Sequence, residues 1–341
     1  MRSVPHKALR RLVIAPVVVA AEALLFLATP ALLLVAVVTS PLFGGWRPLR
    51  MTSIVIAFTT HHLAAILACL GLWMTGGLGR RIHSEASQRA YYAVMGWFVA
   101  GVYRTIVKLA RVEVSFSESS DDSEQILSTP SRPVIVLSRH AGEGDTLLVI
   151  HELLCRHRRS PRIVMHERLR LDPLIDVLGD RLPNRFVDPR GGDTEVDIAA
   201  MAGELDETAA LVIFPEGGNF SAERRLRGIE RLDRAGHAEE AAWARQMEHL
   251  SAPRPGGALA ALEAAPAAEV VVMGHVGFPT GLREVWSLLP QPQAIEVRLW
   301  HEPRDAIPAD RDERIDWLFG CWRTLDAWVG QRERARAEGP R

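Results

Sequence analysis

Cysteine is scarce: Cys69, Cys155 and Cys321 are the only three in 341 residues, and none falls in a CxxC spacing. Neither a disulfide framework nor a thiolate metal site is suggested, and a reducing compartment fits best. An excess of one charge is also missing, since 40 Lys and Arg face 41 Asp and Glu for a net charge of -1. The global electrostatic case for a nucleic-acid partner falls with it, so none is expected. No GxSxG elbow supplies a serine nucleophile. No HExxH pair turns His151, His157 and His166, with Asp145, into a zinc site. No internal repeat or low-complexity tract interrupts the chain. With 48% apolar and 24% charged residues, its composition is that of a folded protein with a sizeable core.

The apolar residues are unevenly spread. Leu12 to Ser40 is nearly all apolar, and as a helix rising about 1.5 Å per residue it exceeds the roughly 30 Å thickness of a bilayer core. A window from Ala23 to Phe43 spans without Glu22, which is expected near the interface. Thr52 to Met74 is a second long run, and the turn-rich linker "PLFGGWRPLR" makes the two antiparallel. Arg2, Lys7, Arg10 and Arg11 precede this hairpin and Arg80, Arg81 and Arg89 follow it, so both ends read as cytoplasmic. Pro16, Pro30, Pro41 and the pair His61 and His62 leave open a re-entrant hairpin that dips into one leaflet. Either form puts the protein on a membrane, with residues 1–82 as its hairpin. Residues 83–111 follow as an amphipathic interfacial helix, with Arg104, Lys108 and Arg111 on one stripe. "SESSDDSEQILSTPSR" then reads as an acidic loop.

From about Arg132, short β-rich runs ("PVIVLS", "PRIVMH", "NRFVD", "ALVIFP", "EVVVMGHVGF", "AIEVRLW") alternate with helical patterns. Such alternation predicts an α/β domain with a mostly parallel sheet flanked by helices, here over residues 112–330, and a solvated tail over 331–341. "RHAGEGD" is then a strand-to-helix turn, where open α/β sheets meet ligands. On one continuous helix, residues five apart point about 140° away from each other. His140 and Asp145 converge only if the chain turns between them, which Gly142 and Gly144 permit. An imidazole oriented by a carboxylate is a base without its own nucleophile, suited to a substrate hydroxyl. Taken alone, the HxxxxD spacing is more often a turn histidine followed by a helix N-cap. Two further turns widen the context: "FPEGGNFS" brings Glu216 with Gly217 and Gly218, and "FVDPRGGD" brings Arg190 beside another glycine pair, a candidate phosphate clamp.

"HAGEGD", "FVDPR", "FPEGG" and "VVVMGHVGF", in that order over Val134 to Pro279, resemble the glycerolipid (1-acylglycerol-3-phosphate) acyltransferase superfamily. The insertion after "FPEGGNF" and the Pro253–Arg254–Pro255 segment are most similar to its lysocardiolipin and lysophospholipid subgroup. The resemblance implies that His140 is the general base and Asp145 its orienting partner. It also implies that Glu216, Gly217, Gly218 and Arg190 bind the acceptor. The donor would be acyl-CoA or acyl-ACP, the acceptor a lysophospholipid or related lipid, and no metal or redox cofactor would be required. Family members usually read Phe-Pro-Glu-Gly-Thr-Arg, whereas Gly218 and Asn219 stand in the last two places here. Pro189 displaces the second-motif arginine by one residue, and Arg139 precedes the histidine where Asn or Gln is common. These departures imply a head group other than that of lysophosphatidate. The rival readings are a membrane lipid hydrolase and a non-catalytic lipid-binding membrane protein of the same fold.

Overall fold

The computed structural model describes residues 4–338 except 82–83, 118–120, 143, 189–193, 280 and 290. Among these residues, the strands β1 (Val112–Phe116), β2 (Val134–Ser138), β3 (Ser160–His166), β4 (Arg185–Val187), β5 (Ala209–Ile213), β6 (Glu269–Val276) and β7 (Gln293–Glu302) form one sheet. Their order is β1-β7-β6-β2-β5-β3-β4, with every pairing parallel except β6 with β7. The fold is thus α/β with a mostly parallel sheet, as expected. β2 and β5 are buried at every residue, which explains why they read as unbroken apolar runs: helices cover both faces.

Alternate residues of the central strands feed opposite cores. Ile135, Leu137, Leu211 and Ile213 pack with the helices Pro255–Ala264 and Arg311–Glu338, whose Trp322 is fully buried. Val134, Val136, Ala210 and Val212 pack with Leu148, Val149 and Leu153 on the other face. A third cluster joins Ala65 and Cys69 of the helix Arg47–Thr75, Tyr91, Met95 and Val99 of the helix Glu85–Leu109, and Leu174 and Leu178 of the helix Pro173–Arg181. The helix Glu85–Leu109 therefore bridges the hairpin and the sheet.

Several expectations need correction. β1 was not foreseen, and the acidic loop contains a helix, Asp121–Ser128. Residues 331–338, expected as tail, continue the last helix, from which Arg336 reaches back to the carbonyl of Ala294. The first apolar run is not one straight rod, for Lys7–Leu27 and Thr29–Phe43 meet at 57°. Pro30 sits in the first turn of the second segment, where its missing N–H and its ring break the hydrogen-bond ladder. The window Ala23 to Phe43 straddles this bend. Arg47–Thr75 is one helix long and apolar enough to cross a membrane.

The hairpin is tied to the α/β domain by charge. Arg10 meets Asp176 Oδ1 at 2.8 Å, Arg11 meets Asp176 Oδ2 at 3.1 Å and Asp180 at 2.8 Å, and Arg170 meets both carboxylates at 3.3 and 2.8 Å. His62, midway along the second arm, lies 2.6 Å from Glu22 Oε1 and 3.2 Å from Oδ1 of Asp172. Asp172 also caps the helix Pro173–Arg181. Glu22, expected near the interface, is thus paired inside the hairpin.

Candidate active site

β2, β5 and β6 lie side by side and β2 runs parallel to both, so their C-terminal ends open at one edge of the sheet. β2 ends one residue before Arg139 and His140, β5 leads through Phe214 and Pro215 into Glu216, and β6 carries His275 near its end. Three separate turns thereby meet at one place.

His140 and Asp145 converge there. His140 Nδ1 is 2.9 Å from Asp145 Oδ2, and the same oxygen accepts the main-chain N–H groups of Ala141 at 2.8 Å and Gly142 at 3.1 Å. Asp145 opens the helix Asp145–Ile150, but Gly144, at φ 94°, is the residue before it, and the carboxylate folds back onto the turn. It braces the loop and the imidazole instead of capping the helix. Asp145 is 1% exposed, whereas the His140 side chain is 21% exposed. Burial alone would raise the Asp145 carboxyl, but the hydrogen bond and charge of His140, with His275 and the Gly142 N–H, hold it below its ordinary value. An ionised carboxylate on Nδ1 fixes the tautomer with the proton there, which leaves Nε2 as the basic nitrogen. Phe214 packs against the imidazole, with ring centroids 4.6 Å apart.

Glu216 stands behind this pair. It is 5% exposed; Oε1 accepts the main-chain N–H of His140 and Oε2 that of Ser251, each at 3.0 Å. Burial pushes its carboxyl up to about 7 against the pull of these two N–H groups and of Arg139. Each oxygen accepts an N–H of the protein's own backbone, so Glu216 fixes the main chain of His140. Gly217 (φ 72°) and Gly218 (φ 152°) follow in conformations that favour glycine. Arg190 lies outside the described residues.

Four residues that the sequence did not assign to the site complete its support. Arg139, buried, donates to the carbonyls of His275 at 2.6 Å and His249 at 3.3 Å. His275 Nε2 returns the contact at 3.1 Å from the carbonyl of Arg139, and burial lowers its imidazole to about 4, so it is neutral and donates. Asp326, on the last helix, accepts the N–H groups of Glu248, His249 and Leu250 at 3.1, 2.7 and 2.9 Å, and so anchors the segment whose Ser251 N–H reaches Glu216. A histidine inside "VVVMGHVGF" and a lone aspartate in the apolar "TLDAWV" were the available signals. His151, His157 and His166 are dispersed, against Tyr103, Ser128 and the Arg168 N–H.

An apolar groove of about 570 Å³ adjoins the pair. Its walls include Met51, Ile54 and Phe58 from the second arm, Ile106 from the bridging helix, and Gly144 and Phe278 beside the site.

Residues 111–266 match the model of the Acyltransferase family. This segment is an acyltransferase domain. Its family implies acyl transfer between a donor and an acceptor, and the domain includes β1 to β5 with His140, Asp145 and Glu216. β6 and β7, which complete the sheet, and the last helix, which supplies Asp326, lie C-terminal to it. No curated protein matches the chain.

Proposed function

We propose that this protein is a membrane-bound O-acyltransferase that moves a fatty acyl group from acyl-CoA or acyl-ACP to a hydroxyl of a lysophospholipid or related lipid. The observation that carries this reading is the His140–Asp145 pair next to an apolar groove that has Gly144 on its wall. Nε2 of His140 takes the acceptor's hydroxyl proton as its oxygen attacks the thioester carbonyl. The tetrahedral intermediate collapses with loss of the C–S bond, and the imidazolium returns the proton to the departing thiolate. The thioester arrives already activated, so the protein's task is to orient and deprotonate.

The groove takes the acyl chain. Gly144, on its wall, adjoins Asp145, and Phe278, also on its wall, lies 5.0 Å from the His275 ring, which supports an acyl chain held next to the pair. Membrane binding follows from the exposed apolar surface of the hairpin, including Leu12, Leu24, Leu27, Leu34, Val38 and Leu42. The contact of His62 with Asp172 sets the middle of the second arm level with the α/β domain, which favours a hairpin dipping into one leaflet beside that domain. Lys7, Arg10 and Arg11 bind Asp176 and Asp180, which supports a shared cytoplasmic side for the N-terminal segment and the acyltransferase domain.

The test supplies radiolabelled acyl-CoA and acyl-ACP to the detergent-solubilised protein with a panel of lysolipids, and identifies products by mass. Labelled diacyl product from the parent and at least about a hundredfold less from His140→Ala is the expected result. Free fatty acid as the sole product would establish a hydrolase instead.

A further inference from the structure

The hairpin is tied to one short helix of the α/β domain, Pro173–Arg181, by two kinds of contact. Asp176 and Asp180 of that helix hold Lys7, Arg10 and Arg11. Guanidiniums, ammoniums and paired carboxylates keep their charges through the neutral range, so this tie does not respond to pH there. The second tie does. Asp172, the cap of the same helix, lies 3.2 Å from His62 Nε2 on the second arm, while His62 Nδ1 lies 2.6 Å from Glu22 Oε1 on the first. One imidazole therefore joins both arms of the hairpin to the domain.

A neutral imidazole carries a single N–H and can donate to only one of these carboxylates. Its other nitrogen would turn a lone pair on an oxygen that carries lone pairs of its own. The imidazolium donates to both. His62 is 3% exposed, and Glu22 Oε2 is buried with no hydrogen-bond partner among the described residues, so water does little to replace a lost contact. The charges acting on the ring are those of Asp172 and Glu22. Its aromatic neighbours are apolar: Phe58 stacks on it with ring centroids 5.7 Å apart, and Phe98 of the helix Glu85–Leu109 meets it edge-on at 6.1 Å. The other histidine and the cysteine of the arm face elsewhere, His61 toward the Ala57 carbonyl and Trp97, and Cys69 into the cluster with Tyr91.

Phe58 couples this trio to the groove. It lies one helical turn before His62, and it walls the groove together with Met51, Ile54 and Val55 of the same arm. Whatever seats His62 against the domain also seats that wall.

We propose that His62, as an imidazolium bridging Glu22 and Asp172, is a positioning residue that latches the second arm to the α/β domain and so holds the wall of the acyl groove, the latch opening when the ring loses its proton. The coupling to acyl transfer rests on the reading that the groove takes the acyl chain. The latch is closed in the protonated state and weakens as pH rises. His140 has the opposite dependence, because a general base acts unprotonated. The two are separable, since His140 serves every donor alike, whereas a loosened wall penalises long chains most.

The first test needs no acyl chain. In the full-length protein in neutral detergent, NMR of nitrogen-labelled histidines, assigned with His62→Gln, should find protons on both ring nitrogens of His62 at about pH 6 and loss of one by about pH 9. Over the same titration, hydrogen exchange across Arg47–Thr75, measured against the helix Arg311–Glu338 to cancel the intrinsic effect of pH, should quicken at least tenfold. A ring with one proton at the lower pH, or a ring that titrates while exchange stays unchanged, would overturn the latch. Asp172→Asn keeps an amide oxygen to cap the Ile175 N–H and to accept from the ring, and removes only the charge. Its opening should move about one pH unit lower, and an opening at the parent's pH would overturn the ionic bridge. The second test is kinetic. As pH rises, kcat/KM of the parent should fall at least tenfold further for a long-chain acyl-CoA than for a short one, and the two profiles should run parallel in His62→Gln. Parallel profiles in the parent would overturn the coupling to the groove. An arm that opens as His62 titrates, in a protein that transfers no acyl group, would defeat the acyl-transfer reading and leave the latch standing.

Discussion

Glu216 Oε1 accepts the main-chain N–H of His140 at 3.0 Å, so the carboxylate of one motif fixes the backbone of the other. Its second oxygen is engaged by Ser251, and a glutamine can accept only one of these two N–H groups while turning an NH₂ toward the other. Glu216→Gln is therefore expected to cost about 1–3 kcal/mol of stability, the range for a buried donor left unpaired. Acyl transfer should fall mainly in kcat if, as proposed, the displaced residue His140 is the base. Thermal unfolding and steady-state kinetics on one preparation check both; unchanged kcat with a raised acceptor KM would return Glu216 to substrate binding.

His140→Ala should lower acyl transfer by about 10²–10⁴, the usual contribution of a positioned general base. Asp145→Asn should also lower kcat, by a different route. One oxygen, Oδ2, accepts from Ala141, Gly142 and His140 Nδ1, so the amide oxygen can keep all three contacts while losing the negative charge that stabilises an imidazolium. NMR of the ring nitrogens should still place the neutral ring's proton on Nδ1, which separates a loss of charge from a loss of orientation.

Two buried groups give opposite pH slopes. His275 titrates near 4 in the fold against 6.5 when unperturbed, so its contribution is full above about 6.5 and is lost as pH falls toward 4. Glu216 titrates near 7 against 4.5, so its contribution is full below about 4.5 and is lost as pH rises through 7. Between pH 4.5 and 6.5 the two oppose each other. Relative to the parent, the melting temperature of His275→Gln should fall as pH rises through that window, and that of Glu216→Gln should rise. Parallel profiles for all three proteins would contradict these burial effects.

Asp176 is buried under Arg10, Arg11 and Arg170, and removing one partner of such a group leaves cations without a counter-charge. Asp176→Ala is expected to lose about 3–5 kcal/mol, as for other broken buried pairs. Limited proteolysis should then release the segment before Ala15, while Glu223→Ala, an exposed partner of Arg227, changes neither property.

The sheet was legible because parallel strands buried on both faces write unbroken apolar runs, as in "VIVLS" and "ALVI". β1 was not, for "VEVSF" is a half-buried edge strand of alternating residues that follows directly on an amphipathic helix. The His140–Asp145 pair could be read from spacing and glycines, since both partners lie in one turn. Asp326 could not, because its contact with the segment before Ser251 joins residues more than seventy positions apart. The same distance effect hid the hairpin's attachment, in which Arg10 meets Asp176 and His62 meets Asp172. Local chemistry leaves a local signature, whereas the supports that position it are set by tertiary packing.

Chain-length preference should follow the depth of the apolar groove. Ile54, on the second arm, walls the groove together with Ile106 and Val285. Ile54→Trp adds bulk there without touching His140, so the site should keep its activity on short chains and lose it on long ones. With a series of saturated acyl-CoA donors, kcat/KM should peak at a shorter chain than in the parent and fall at least tenfold for the longest donor. Each methylene denied burial removes about 0.8 kcal/mol, so excluding two is enough for that change. Thermal unfolding separates the effect from strain, since overpacking lowers stability for every donor alike. A uniform loss across the series, with the peak unmoved, would show that the acyl chain lies elsewhere.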